Sequence, residues 1–219
     1  MLWLAARTRK SYNRTRLLAN ARRAGARGNH IKAIALYERV QKAEPENTDL
    51  LRRLAGQRAR AGQREEAWRD CRAAAGRLVE RGFLEQAIGV YREFATHLPN
   101  ETAVWKALSR LELERSREPD ALGVLLEGRR FFRSATQRQD ALSLLRLARK
   151  IDPTHFETNF DLAQVLGRCG ASLPARRILM ELELHVRGRD LRRLRGRLFR
   201  LSPGLGPAWR WLSALLRGV

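Results

Sequence analysis

Cysteine, histidine and lysine are scarce in this 219-residue chain. Two cysteines, Cys71 and Cys169, exclude a disulfide scaffold and a cysteine-based zinc site. The four histidines, His30, His97, His155 and His185, stand far apart in the sequence. His185 follows Glu181 by one helical turn, and that spacing fits a surface pair better than a metal site. No phosphate-binding Gly-Lys-Ser/Thr, Gly-rich dinucleotide fingerprint or His-Glu-x-x-His is present. The longest apolar run, Met1 to Ala6, is far short of the ~18 residues a membrane span needs. Period-two alternation is missing too, so no strands are expected. The reading is of a protein with no catalytic residues, no cofactor and no metal. Cys71 is expected to act as a small core hydrophobe, with Cys169 partly exposed at a helix end.

Arginine is what the chain has in excess. Of its 44 basic residues 39 are Arg, against 23 acids, and the net charge is +21. The excess lies at the ends: residues 1–37 carry +9 with no acid, and residues 186–219 carry +8 with Asp190 alone. The stretch between them is nearly balanced, an ordinary solvated surface. Such ends imply attraction to anionic partners. The acid-free start also has the composition of a transit peptide, which would direct the chain to mitochondria. It runs straight into the first repeat, however, and the chain is read as cytoplasmic.

A repeat organises the rest. Pro45, Pro99 and Pro153 are 54 residues apart, and Pro203 follows 50 later. Twelve residues before the first three prolines stand Ala33, Ala87 and Ala141, and eight before them Tyr37, Tyr91 and Leu145. Twenty-two residues after the same prolines stand Ala67, Ala121 and Ala175. Gly28, Gly62, Gly82 and Gly170 each precede such an Ala by five residues. Proline ends a helix, glycine supplies a left-handed turn, and alanine lets two helices approach closely.

This Gly-x4-Ala-x3-Tyr-x7-Pro spacing resembles the second half of a tetratricopeptide repeat (TPR). Leu51, Trp105 and Trp209 stand where the family has its large residue. Leu54, Leu108 and Leu212 follow three residues on, with the small residues Ala55, Ser109 and Ser213 beside them. The resemblance covers residues 14–217 and implies an all-α, right-handed helical-repeat solenoid. A standard unit of the family has two helices in ~34 residues, whereas this period of 54 leaves room for a third. The predicted helices are 11–26, 30–44, 47–61, 64–81, 83–97, 100–116, 119–133, 137–151, 155–169, 172–187, 189–201 and 206–217. They are expected to form a single domain over 14–217 after a basic segment 1–13. Its units lie near 14–45, 46–99, 100–153 and 154–203, with 206–217 as a terminal helix.

The resemblance implies a concave face lined by the first helix of each repeat. The family's inward positions fall on Arg22, Arg52, Lys106 and Arg110, with Arg60 and Arg168 one turn further on. This basic lining resembles the one that clamps a terminal carboxylate in some members. The Asn that completes the clamp is replaced by Arg22, Gly56, Arg110 and Gln164, so a general acidic-peptide groove is the expectation. A second candidate is helix 189–201, where Leu191, Leu194, Leu198 and Leu201 recur at three and four. The anion-binding candidates there are Arg192, Arg193, Arg195 and Arg197. The leucines are expected in the array core, and aromatics for base stacking are few in both basic ends. In helix 206–217 one face is expected on the preceding unit, leaving Trp211 and Leu215 with less obvious partners. The function expected is a non-catalytic scaffold that binds another protein through the concave face. The alternative is an anion-directed binder of nucleic acid or a membrane surface through 1–37 and 186–200.

Overall fold

The computed structural model describes residues 13–201 and 205–216. Among these the chain forms twelve helices and no strand. They are α1 (Arg14–Ala26), α2 (His30–Ala43), α3 (Thr48–Arg60), α4 (Arg64–Glu80), α5 (Leu84–His97) and α6 (Thr102–Glu114). They continue as α7 (Glu118–Arg129), α8 (Arg138–Ile151), α9 (Phe156–Arg168), α10 (Ser172–Glu183), α11 (Gly188–Leu201) and α12 (Leu205–Leu216). No helix among the described residues is long and apolar enough to cross a membrane.

The helix ends follow from short-range chemistry. Asn13, Asn29 and Asn47 cap α1, α2 and α3, each side chain accepting a hydrogen bond from the amide three residues on. Gly28, Gly62, Gly82 and Gly170 take φ of 77° to 80°, the left-handed region that L side chains avoid. Around each, the same two hydrogen bonds close the preceding helix. After α1, Gly28 N–H donates to Gly25 O (3.0 Å) and Asn29 N–H to Ala24 O (2.9 Å). This is the Schellman pattern. A fifth such turn has no glycine. Ser116, at φ 56°, donates to Leu113 O (2.8 Å) while Arg117 donates to Glu112 O (2.9 Å). Ser116 stands five residues before Ala121, so it completes the register that the glycines began.

The register positions are where packing is tightest. Ala33, Ala67, Ala87, Ala121, Ala141 and Ala175 are at most 1% exposed, with Tyr37, Tyr91 and Leu145 buried beside them. Leu51, Trp105, Leu54, Leu108, Ala55 and Ser109 are buried as well. Cys71 is buried and Cys169 exposed. In α3–α5, α6–α8 and α9–α11 neighbouring helices pack together and the first also touches the third. The fold is thus all-α and TPR-like, with its repeat lengthened by one helix.

The chain divides into two compact units after Pro99. The first holds α1–α5. Leu17, Ala21, Ile34, Val40, Leu50 and Leu54 belong to one core cluster spanning α1, α2 and α3. Arg58 ties these helices further, donating to Glu38 of α2 (2.6 Å) and Asp70 of α4 (2.5 Å). The second holds α6–α12. There Arg129 on α7 pairs with Asp161 on α9 at 3.0 Å.

Several expectations change. Helix 119–133 ends at Arg129. Phe132 turns into the core instead of continuing the helix, and Arg129 donates to its carbonyl at 2.9 Å. The Trp105 indole lies on Gly128, where a Cβ would collide with its ring. The expected 172–187 likewise ends at Glu183. In α12 the register fails: Trp209 is 70% exposed and Leu212 is exposed, although both hold family core positions. Trp211, whose partner was not obvious from the sequence, stacks on Phe199 of α11 with centroids 5.9 Å apart. Gly196 permits this, since a Cβ there would lie 3.1 Å from the Trp211 indole nitrogen. Pro203 and the Leu215 side chain lie outside the described residues, as do the first twelve residues of the basic start.

Two stability changes follow. Ala87→Leu inserts three carbons at a crossing with no free surface and should destabilise by ~1–3 kcal/mol, read as a lowered melting temperature. Ser116→Gly relieves a left-handed L residue and should raise stability by about 1 kcal/mol in denaturant titration.

Candidate functional site

Seven of the nine sequence-predicted arginines fall in two pockets, one in each unit. In the first unit a pocket of about 310 Å³ lies among α1, α2, α3 and α5. Its walls include Arg22, Arg52 and Arg60, three of the six groove candidates, with Tyr37, Gln57 and His97. Helical spacing explains the convergence. Arg52, Gly56 and Arg60 recur every four residues along one face of α3. Helix α1 comes close because Gly25 has no side chain, since a Cβ there would sit 2.8 Å from the Gln57 amide oxygen. Gln57 is itself fixed by a 3.0 Å hydrogen bond with the His30 ring.

These three cations are not equivalent. Arg52 is compensated, with Asp49 at 3.0 Å and Glu93 at 3.6 Å. Burial alone would raise the Asp49 carboxyl. The hydrogen bond from Arg53, at 2.7 Å, and the charges of Arg53 and Arg52 outweigh it and hold the group below its usual range. Arg22 and Arg60 are exposed and have no carboxylate partner among the described residues. His97 senses that imbalance. Burial, and then the charge of Arg60, push its pKa below 6.5, and Glu93 only partly opposes them. Lys106 and Arg110 stand exposed on α6 in the other unit, with Arg110 3.5 Å from Glu114.

The second pocket, about 490 Å³, is built by α9, α11 and α12. Phe160, Gln164 and Arg168 follow one another by four along α9, while α11 contributes Arg192, Arg193, Gly196, Arg197, Phe199 and Arg200. Trp211 comes from α12. Arg168, expected in the groove, thus joins three of the four anion-binding candidates. Arg195, the fourth, points elsewhere and donates to Glu183 at 2.7 Å. Leu194 and Leu198 are buried, as expected for the core face of this helix.

Arg193 clasps α11 to α9. Its guanidinium donates to both Glu157 oxygens (2.7 and 3.3 Å) and to Asp190 (3.2 Å), and lies 4.9 Å over the Phe160 ring. That bond to Arg193 draws the Glu157 carboxyl below its usual range against the effect of burial. Arg197 donates to the Gln164 carbonyl at 3.3 Å. Its pKa is lowered by burial, then by the neighbouring charges of Arg168 and Arg200. Arg168, Arg192 and Arg200 have no carboxylate partner among the described residues.

Sequence reasoning missed Phe160 and Phe199 and left Arg200 outside the anion-binding candidates. The four-residue spacing of Phe160, Gln164 and Arg168 was a visible signal. The stacking of Trp211 on Phe199 was not, because it joins two helices across a turn. Elsewhere, Glu181 bonds Arg149 at 2.6 Å, so the His185–Glu181 spacing belongs to a surface carboxylate already engaged. The described residues hold no cluster of three or more metal-binding side chains.

No family model matches the chain, and no curated protein matches it. Among solved structures it is similar to MamA, at 15% identity over 90% of this chain and 93% of that one, with a TM-score of 0.35. It is similar to a tetratricopeptide repeat protein from Parabacteroides merdae, at 14% identity over 93% and 91% of the two chains, with a TM-score of 0.30. A thermophilic TPR protein of Thermus thermophilus is similar at 16% identity over 92% and 98%, with a TM-score of 0.27. These likenesses carry no argument about a ligand, which must come from the pockets themselves.

The depressed His97 gives a pH dependence. A His whose folded pKa lies below its unfolded value favours the folded state fully above pH 6.5, and that contribution is lost as pH falls toward the folded pKa. The melting temperature should therefore drop on acidification from pH 7 to 5, and drop less in His97→Gln. Proton NMR of the His97 ring should show its pKa below 6.5.

Proposed function

We propose that this chain is a non-catalytic interaction scaffold, and that the pocket among α1, α2, α3 and α5 receives an acidic segment of a partner protein. The observation that carries this reading is the uncompensated pair Arg22 and Arg60 at one pocket. Guanidinium groups take carboxylates through two parallel hydrogen bonds, and two of them select a segment with spaced acids. Tyr37, almost wholly buried, lies at the base of the same space. Arg52, already held by Asp49 and Glu93, shapes the wall. Lys106 and Arg110 present the same cationic chemistry on α6.

A carboxylate beside Arg60 would also act on His97. The arriving negative charge offsets the Arg60 field and raises the pKa of the ring. Binding and histidine titration are therefore coupled, which gives the reading two readouts.

The test uses a fluorescein-labelled ten-residue peptide of alternating Glu and Leu, followed by anisotropy at about 150 mM salt. Arg22→Ala and Arg60→Ala should each weaken binding about tenfold while helicity stays unchanged. The His97 pKa should rise in the complex. Equal affinity of the intact chain and the double variant would overturn the reading.

A further inference from the structure

The pocket of α9, α11 and α12 differs in chemistry from the one in the first unit. Its lining holds five arginines and no carboxylate. Arg193 is engaged by Glu157 and Asp190. Arg168, Arg192, Arg197 and Arg200 therefore leave four positive charges around one space of about 490 Å³. None of the four has an ion pair with a carboxylate among the described residues, and the buried Nε of Arg197 has no acceptor. Like charges gathered this way repel, and Arg197 already shows it in a pKa drawn down by burial and by Arg168 and Arg200.

A ligand that relieves this repulsion carries several negative charges on one centre. A phosphate does so, and its oxygens match the guanidinium fork. A lone carboxylate supplies a single charge and would leave most of the field in place. The remaining wall narrows the class further. Phe199 and Trp211 lie ring on ring, 5.9 Å between centroids and 4° from parallel, and both face the pocket. An aromatic wall beside a phosphate cradle suits a ligand with a planar base attached to its phosphates. The volume lies within the ~300–1,000 Å³ of small-molecule sites.

We propose that this pocket binds a nucleotide through its 5′-phosphates, held by Arg168, Arg192, Arg197 and Arg200, with the base against Trp211. A free nucleotide and the phosphorylated 5′ end of a single strand share this chemistry. The site is independent of the acidic-segment pocket, since the two lie in different units and share no residue.

Isothermal titration of the full chain at about 150 mM salt tests it, where screening suppresses diffuse attraction to a basic protein. The probes are ATP, tripolyphosphate, adenosine, and ten-residue oligoadenylates ending in 5′-phosphate or 5′-hydroxyl. ATP should bind saturably at one per chain, more tightly than tripolyphosphate, and adenosine should not bind. Arg168→Gln and Arg200→Gln sit at exposed positions and should keep the helical circular dichroism while lowering ATP affinity about tenfold or more each. Trp211→Leu should weaken ATP and leave tripolyphosphate unchanged. If that variant loses helicity, the ATP-to-tripolyphosphate affinity ratio of the intact chain decides the same point. Arg22→Ala and Arg60→Ala should leave ATP binding untouched, which separates failure here from failure of the acidic-segment reading. A phosphorylated oligoadenylate that binds like ATP identifies the strand end as the source, and one that fails beside a binding ATP identifies the free nucleotide; both support the proposal. Absence of saturable ATP binding, affinity unchanged in the Arg168→Gln/Arg200→Gln double variant, tripolyphosphate as tight as ATP, or equal binding of the hydroxyl-ended strand would each overturn it.

Discussion

One backbone residue in the left-handed region, five positions ahead of an alanine with no exposed surface, is the constraint on which the rest depends. The turn reverses the chain within about three residues, because two hydrogen bonds close the old helix while the next one starts. The alanine then meets a neighbouring helix with a single methyl group, which brings the two backbones close. Repeating that pair of features along the chain stacks one helix on the next. Where glycine is missing, Ser116 accepts the strain of φ 56° rather than breaking the pattern. Proline marks the other kind of boundary, at the ends of α2, α5 and α8, and so sets the three-helix unit.

With backbones this regular, arginine distribution is what distinguishes one surface from another. Many of the guanidinium groups are absorbed into structure. Arg58 bridges Glu38 and Asp70, Arg129 takes Asp161, Arg149 takes Glu181, and Arg195 takes Glu183. Each of these pairs spans two helices and uses a carboxylate as its counter-charge. The two pockets are where that matching stops. In the first unit it stops at Arg22 and Arg60, beside His97, whose pKa burial and then the Arg60 charge draw down. In the second it stops at Arg168, Arg192 and Arg200, next to an aromatic stack. One pocket has nearby acids and the other has none, which is why different ligands are proposed for them.

The helices were legible without coordinates. Their number, order and turn positions follow from Gly-to-Ala, Ala-to-Tyr and Pro-to-Pro spacings, and those spacings work through hydrogen bonds and sterics within one or two turns of chain. The buried positions of α11 were legible for the same reason, since Leu194 and Leu198 recur on one face. The ends of α7 and α10 were not. Nothing local in 130–133 says that Phe132 leaves the helix, because the reason is a core contact and a guanidinium reaching back to its carbonyl.

The sites divide along the same line. Composition showed that the chain ends were strongly basic, and periodicity placed Arg192, Arg193 and Arg197 on one helix. Only the tertiary structure decided that Arg195 would be claimed by Glu183, that Arg168 would join the others from α9, and that Trp211 would lie on Phe199. It also parted the six groove candidates, bringing Arg22, Arg52 and Arg60 to one pocket and Arg168 to another, while Lys106 and Arg110 remained on the exposed surface of α6. The physical reason is range. A turn or a helix face is set by residues a few positions apart. The charge balance of a pocket is set by whichever side chains packing brings within a few ångströms, as with Arg193 and Glu157, 36 residues apart.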